Sequence, residues 1–263
     1  MLKVNSKEVV SENVLEINKL GISFGGLKAV EDVSFKIKKG ELLGLIGPNG
    51  AGKTTLFNML SGVYTPTSGE IILDGKKVNG TSPDKLSKLG VARTFQNIRL
   101  FDNLTVLDNV KLAMNQYMEY GVLTGMFRLP SYWKEEKEAT KMAKDILRLF
   151  DLEKYYMTLA GSLPYGAQRK LEIARAMATR PKVLLLDEPA AGMNESETQD
   201  LMDSIRVIRE NTGVSILLIE HDMNLVLGIT DRLIVLNYGE ILAQGNPREV
   251  ISNKEVVRAY LGS

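Results

Sequence analysis

The chain contains no cysteine and a single histidine among its 263 residues. Disulfides and thiolate metal sites are therefore excluded, and one histidine cannot build a zinc site. Charge of one sign is also missing. Thirty-three basic residues face 32 acidic ones, for a net charge of +1. That balance gives no support to nucleic-acid binding driven by bulk electrostatics. No apolar run approaches the roughly 20 residues that cross a bilayer. The longest, such as Ser215-Ile216-Leu217-Leu218-Ile219, are strand-sized. The opening residues, Met1-Leu2-Lys3-Val4-Asn5-Ser6-Lys7, hold no apolar signal-peptide core, so the expected compartment is the cytosol. What remains is an ordinary globular composition, 44% hydrophobic and 25% charged, in a chain long enough for a substantial core.

One stretch organises that composition: Gly47-Pro48-Asn49-Gly50-Ala51-Gly52-Lys53-Thr54-Thr55. An apolar run, Glu41 to Ile46, precedes it and reads as a buried strand. Leu56-Phe57-Asn58-Met59-Leu60 follows and reads as the start of a helix. A strand, then a glycine-rich loop ending in Lys-Thr, then a helix is the context of a phosphate-binding loop. Glycines let successive N–H groups turn inward to an anion, and the helix N-terminus adds its positive end. Lys53 is expected to reach the outer phosphates of a nucleoside triphosphate, and the Thr54 hydroxyl to ligate Mg²⁺.

The rest of the chain falls into three parts. Val14 to Ile17, the alternation Val33, Phe35, Ile37, and Glu70 to Leu73 before an Asp74-Gly75 turn predict a mixed sheet over roughly 13–95. Thr105-Val106-Leu107-Asp108 then fits a capping box, with Asp in the usual place of Glu. Leu107, Val110, Met114 and Tyr117 continue it at helical spacing. Residues 120–133 are apolar but broken by glycine and proline, and Ala139, Met142, Ala143, Ile146, Leu147 and Phe150 mark an amphipathic helix. Residues 97–180 thus read as a helical insert. Strand–helix alternation returns at Val183, with a helix over 196–210, a strand over 214–219, a hairpin around Asn237-Tyr238-Gly239, and a tail with short helical spacing.

Four further places are candidates for chemistry. Val183 to Leu186 is an all-apolar strand ending in Asp187-Glu188-Pro189. Beside a phosphate loop, Asp187 can hold Mg²⁺ through water, and Glu188 can orient or deprotonate a water attacking the γ-phosphate. His221 follows the strand 214–219, at the kind of strand end where α/β sheets bind ligands. Local sequence leaves it open between a γ-phosphate contact and an exposed or capping histidine. Gln96 sits at the border between sheet and helical insert. By itself it is either a surface glutamine or a sensor of Mg²⁺ and water. Leu163 to Ala176 opens a helix after a short loop, and Gly166 permits close backbone approach there.

The order phosphate loop, Gln96, Leu-x-x-Gly-x-Gln-Arg, strand-Asp-Glu-Pro and strand-Glu-His-Asp resembles the ATP-binding cassette (ABC) ATPases over essentially the whole chain. The finer resemblance is to ATPase subunits of branched-chain amino-acid importers. It rests on Phe24 to Ala29, Gly47 to Phe57, Val91 to Gln96, Tyr165 to Arg175, Asp187 to Asn194, Leu217 to Met223 and Arg258 to Gly262. The resemblance implies an α/β P-loop NTPase core with an antiparallel β subdomain and an inserted helical subdomain. The core would take residues 13–96 and 181–245, the helical subdomain 97–180, and a C-terminal extension 246–263. It implies that Phe24 stacks on adenine and that Gly47, Pro48, Asn49, Gly50, Ala51, Gly52, Lys53, Thr54 and Thr55 cradle the phosphates. Asp187 and Gly166 would also bind nucleotide, and Thr54, Gln96 and Asp187 would serve Mg²⁺. Glu188, His221 and Gln96 would be catalytic. ATP would lie between this phosphate loop and the Leu163–Gln168 loop of a second cassette, either a copy or a paralogue. Two membrane permeases and an external binding protein would complete the importer at the cytoplasmic face of the membrane.

Two departures stand out. Pro164, Tyr165 and Ala167 replace Ser, Gly and Gln of the general Leu-Ser-Gly-Gly-Gln signature, a kind of variation that the branched-chain subfamily shares. Asn194 replaces the usual Asp and drops its charge. The alternatives are a cassette for amide, urea or lipid-linked substrates, or a cassette with a non-transport role. A GTPase switch is disfavoured, since the two Asn-Lys pairs are followed at the required place by Gly21 and Val256 instead of Asp.

Overall fold

A computed structural model describes residues 12–117 and 130–261. Among them, ten strands form two sheets. The strands are β1 (Asn13–Phe24), β2 (Leu27–Lys38), β3 (Leu42–Ile46), β4 (Ser68–Leu73), β5 (Lys76–Lys77), β6 (Val91–Arg93), β7 (Val183–Asp187), β8 (Ser215–Ile219), β9 (Arg232–Asn237) and β10 (Glu240–Gly245). The smaller sheet is antiparallel, in the order β2-β1-β4-β5. The larger has the order β10-β9-β3-β8-β7-β6, parallel except for β10 at its edge. The mixed sheet read over 13–95 thus divides between two sheets, the antiparallel β subdomain and the P-loop core that the family resemblance implied. β3 and β6 leave the local hairpins to pair with strands far along the chain, Leu42 with Ile216 and Val91 with Val183, because those apolar partners bury both faces of a parallel strand.

Alternation along the large sheet separates two cores. Leu43, Leu45, Val183, Leu185, Leu217 and Ile219 face the small sheet and helix α1 (Lys53–Leu60). Leu42, Leu184, Leu186, Ile216 and Leu218 face the opposite side, a second core shared with the helices of the insert. Those are, after α2 (Pro83–Leu89), α3 (Val106–Ala113), α4 (Pro130–Arg148) and α5 (Tyr165–Met177), joined there by α6 (Glu195–Thr212). Ala139, Ala143, Leu147 and Phe150 are buried in it. Helix α4 starts at Pro130, earlier than its apolar spacing suggests, whereas the expectation for 120–129 lies outside the described residues. The remaining helices are α7 (Met223–Ile229), α8 (Pro247–Ile251) and α9 (Lys254–Leu261).

The caps refine the sequence reading. Thr105 accepts the Asp108 N–H at 3.1 Å, but the Asp108 carboxylate takes the Thr105 hydroxyl instead of the backbone N–H that a longer Glu reaches. That box is half formed. Asn194 and Glu197 make the full reciprocal box on α6, at 3.0 and 3.1 Å. The uncharged Asn194 thus has a cap to form.

Leu186 is fully buried beneath the loops that leave the sheet. Leu186→Ala is expected to cost about 2–5 kcal/mol, read as a lower urea midpoint with an unchanged denaturant slope.

Candidate functional site

Because β3, β6, β7, β8 and β9 run parallel, the loops after them leave at one edge. The first is the phosphate loop. Gly47 has φ of 153°, and a Cβ there would meet Leu236 O at 2.1 Å, so no side chain fits where the loop crosses the end of β9. Helix α1 begins at Lys53, three residues before its first apolar residue Leu56, so Lys53, Thr54 and Thr55 all lie in its first turn. No side chain caps this N-terminus and no acidic residue lies in the turn. Its positive end is left to an anion. Lys53 is buried, and its Nζ donates to Gly47 O at 2.6 Å and Pro48 O at 3.0 Å. Burial pulls its pKa below the usual lysine value, and the negative charge of Glu188 and Asp187 opposes that pull.

β7 delivers Asp187, and Arg93 at the end of β6 holds it. Arg93 Nη2 donates to Asp187 Oδ2 at 2.8 Å, while Nη1 donates to Asn58 Oδ1 at 2.7 Å and Ser61 Oγ at 3.0 Å on the α1 side. The guanidinium lies over the Phe57 and Phe95 rings, 5.6 and 5.0 Å from their centroids. The acid is oriented by a buried charge pair tied to the helix that follows the phosphate loop.

Glu188 comes next, in the left-handed region with φ of 47°, a conformation a non-glycine residue holds only when its surroundings enforce it. Its N–H donates to Ile219 O at 3.0 Å. Gln96 Nε2 donates to one carboxylate oxygen at 2.9 Å, and His221 Nε2 lies 2.6 Å from the other. Two side chains from two other loops thus converge on the Glu188 carboxylate. Glu220 supports the arrangement from below: its carboxylate accepts Ala190 N–H at 2.8 Å and His221 N–H at 3.0 Å. Burial pushes the Glu220 carboxyl above the usual range.

The remaining expected residues lie further out. Phe24, half exposed, meets the Tyr64 ring edge-on at 5.3 Å. Gly166 is inside α5, in a separate cleft lined by Pro164, Ala167, Lys170 and Glu197. A Cβ there would come within 3.2 Å of Glu197 Oε1. The neighbouring Tyr165 hydroxyl donates to Ala191 O at 2.9 Å, tying this helix start to the loop after β7.

A family model described as ABC transporter matches residues 30–191, well over half of the chain. The chain belongs to the ABC transporter family. A second model, described as branched-chain amino acid ATP-binding cassette transporter, matches residues 240–263 of this cassette. Among curated relatives, the Pseudomonas aeruginosa high-affinity branched-chain amino acid transport ATP-binding protein BraF is 46% identical over 96% of this chain and 99% of its own length. The Escherichia coli protein LivG of the same description is 45% identical over the same shares. A probable LivG of Archaeoglobus fulgidus is 34% identical over 95% of this chain and 96% of its own. Among solved structures, the ADP conformation of MJ1267, an ATP-binding cassette of an ABC transporter, matches with TM-score 0.83 and 32% identity. It covers 96% of this chain and 100% of that one. The dimeric structure of the bacterial cassette MJ0796 matches with TM-score 0.72 and 27% identity, covering 89% and 99%. The cassette is accordingly an ATP-binding ATPase with the P-loop core that its motifs implied.

Sequence reasoning passed over several residues of this cassette's site. Arg93 was visible as a charge in an apolar strand, and Arg169 and Glu172 as opposite charges one turn apart on an otherwise apolar helix face. Both signals mark buried ion pairs. The tail carried no such signal, yet Glu255 and Arg258 of α9 share a cleft of about 650 Å³ with Pro48, Asn49 and Gly50 of the phosphate loop.

Phe24→Ala is expected to weaken ATP binding by about 1–3 kcal/mol, the usual value of a base–aromatic stack. Fluorescent-ATP titration should return this loss, and GTP should suffer alike because every base has a π-face.

Proposed function

We propose that this chain is the ATP-hydrolysing subunit of an importer of branched-chain amino acids, and that Glu188 is its general base. The observation that carries the reading is the convergence of Gln96 and His221 on the Glu188 carboxylate beside the phosphate loop. A base must be held within hydrogen-bond reach of the proton it takes and kept ionised. Gln96 Nε2 donates to one Glu188 oxygen, and His221 Nε2 donates to the other in the matching tautomer. In this reading Lys53 exchanges the Gly47 and Pro48 carbonyls for the outer phosphates, which the bare N-terminus of α1 also faces. Phe24 takes the adenine.

Thr54, Asp187 and Gln96 offer oxygen donors, which suit a hard cation such as Mg²⁺. Among the described residues no group of three or more acidic or histidine side chains could hold a metal alone, which fits an ion that shares its coordination with phosphates and water. Mg²⁺ bound there would neutralise phosphate charge. Arg93 fixes which way Asp187 faces.

Gly166 and the start of α5 lie in a cleft away from the phosphate loop of their own chain, which supports a site completed by a second cassette. Dimeric relatives such as the MJ0796 cassette agree with that arrangement. A further cleft of about 270 Å³, lined by Val63, Leu86, Ala92, Phe95 and Ala113, lies between core and helical insert. Phe101 packs on Arg175 in its wall. A groove at that boundary with apolar residues beside Arg93, Glu172 and Arg175 suits a permease segment at the cytoplasmic face of the membrane, and no described helix is long and apolar enough to cross one.

Glu188→Gln should lower kcat by about 10²–10⁴-fold, the usual worth of a general base, while ATP-dependent dimers persist in size-exclusion chromatography. Undiminished turnover would refute Glu188 as base. In vesicles holding the cassette with its permeases, the same change should stop ATP-driven uptake of leucine, isoleucine and valine. Turnover per subunit of the free cassette should rise with protein concentration, and a rate independent of concentration in a confirmed monomer would refute the shared site.

A further inference from the structure

We infer that the buried Arg169–Glu172 pair positions Gln96 for catalysis, so that helix α5 of the insert sets the competence of Glu188. The inference rests on the reading of Glu188 and Gln96 above and adds the group that holds one of them in place.

Arg169 and Glu172 lie one turn apart on α5 and meet at 2.8 Å, with side chains 0% and 2% exposed. Burying two charges is costly, and an apolar pair of similar volume usually serves packing as well or better. The pair therefore calls for a second task, and its other bonds supply one. Arg169 Nη1 also donates to Phe95 O at 2.8 Å, and Nη2 donates to Gln96 O at 2.7 Å. The planar fork grips two successive carbonyls, a geometry that a flexible ammonium does not preorganise. Glu172 in turn holds the fork.

The grip falls where the sheet lets go. β6 ends at Arg93, and the ladder's hold reaches Thr94, whose N–H donates to Leu185 O at 3.0 Å. Beyond that point the peptide of Gln96 is held from the helical insert. Its side chain crosses to the core and donates to Glu188 at 2.9 Å. A continuous chain of polar contacts thus runs from Glu172 through Arg169 and Gln96 to Glu188. A shift of α5 relative to the sheet would move the Gln96 amide from the carboxylate while leaving the phosphate loop untouched. Arg169 is a positioning residue: its guanidinium is fully buried and bonded to Glu172 and the two carbonyls, so it acts through Gln96.

The test is a double-mutant cycle between the clamp and Gln96. Arg169→Met with Glu172→Leu removes the pair without stranding a charge, and Arg169→Lys keeps the charge without the fork and serves should the first variant fail to fold. Circular dichroism and thermal melting verify each fold. The clamp variant is expected to lose about tenfold in kcat with KM for ATP within about threefold, and Gln96→Ala to do the same. Combined, they should lose no more than the larger single effect, where independent sites would lose about a hundredfold. Both changes should leave KM for ATP near that of the unaltered cassette while kcat falls, a split that a general loss of packing would not produce. A folded clamp variant with unchanged kcat, or losses that add in the double variant, would overturn the clamp while leaving the role of Gln96 intact. A silent Gln96→Ala would overturn the role of Gln96 itself, and the clamp with it.

Discussion

A parallel sheet buried on both faces has one edge at which its backbone can open to solvent and ligand, the edge where the strands end. In this cassette that edge carries the phosphate loop after β3, Gln96 after β6, Asp187 and Glu188 at the end of β7 and His221 after β8. The constraint is apolar. Val183 to Leu186 and Ile216 to Ile219 have almost no exposed surface. Those strands cannot slip by one residue without exchanging the residues that face the two cores. Register in the core therefore fixes which residue emerges first at the edge, and the loops inherit their mutual positions from it.

Charge is handled differently at that edge from elsewhere. Most ion pairs among the described residues lie at the surface, where a pair contributes little. The most buried two, Arg93 with Asp187 and Arg169 with Glu172, lie near the site, where Lys53 is also buried against carbonyls of its own loop. Each is held by hydrogen bonds to charged groups, worth about 1.5–3 kcal/mol apiece. The Lys53 ammonium is the one whose partners are loop carbonyls, and burial already pulls its pKa down. Phosphate oxygens are stronger acceptors for it than neutral carbonyls. The phosphate loop is closed on itself in a way that a triphosphate can replace group for group.

Much of the site was legible because its residues stand at breaks in simple patterns. A glycine-rich loop between an apolar strand and a helix, and two carboxylates ending an all-apolar strand, are local signals. Gln96 and His221 carried weaker ones, and only the order of motifs along the chain raised them above a surface glutamine and a capping histidine. Arg93 and Arg169 were passed over because a lone charge on a strand or helix reads as solvated until its partner is known, and those partners lie 94 residues away at Asp187 and 73 at Gln96. How the mixed sheet read over 13–95 divides in two was hidden for the same reason: local hairpin signals say nothing about β3 and β6 pairing with β8 and β7.

Sequence alone determined the kinds of element, the phosphate loop, the acidic strand end and the family, since these depend on residue type and short spacing. Tertiary structure decided which loops meet. It set Gln96 and His221 on opposite oxygens of Glu188, turned Asp187 toward Arg93, brought the tail helix α9 beside the phosphate loop, and hung Gln96 from a helix of the insert. Those contacts follow from long-range strand pairing and the burial of both sheet faces, and no window of neighbouring residues contains them.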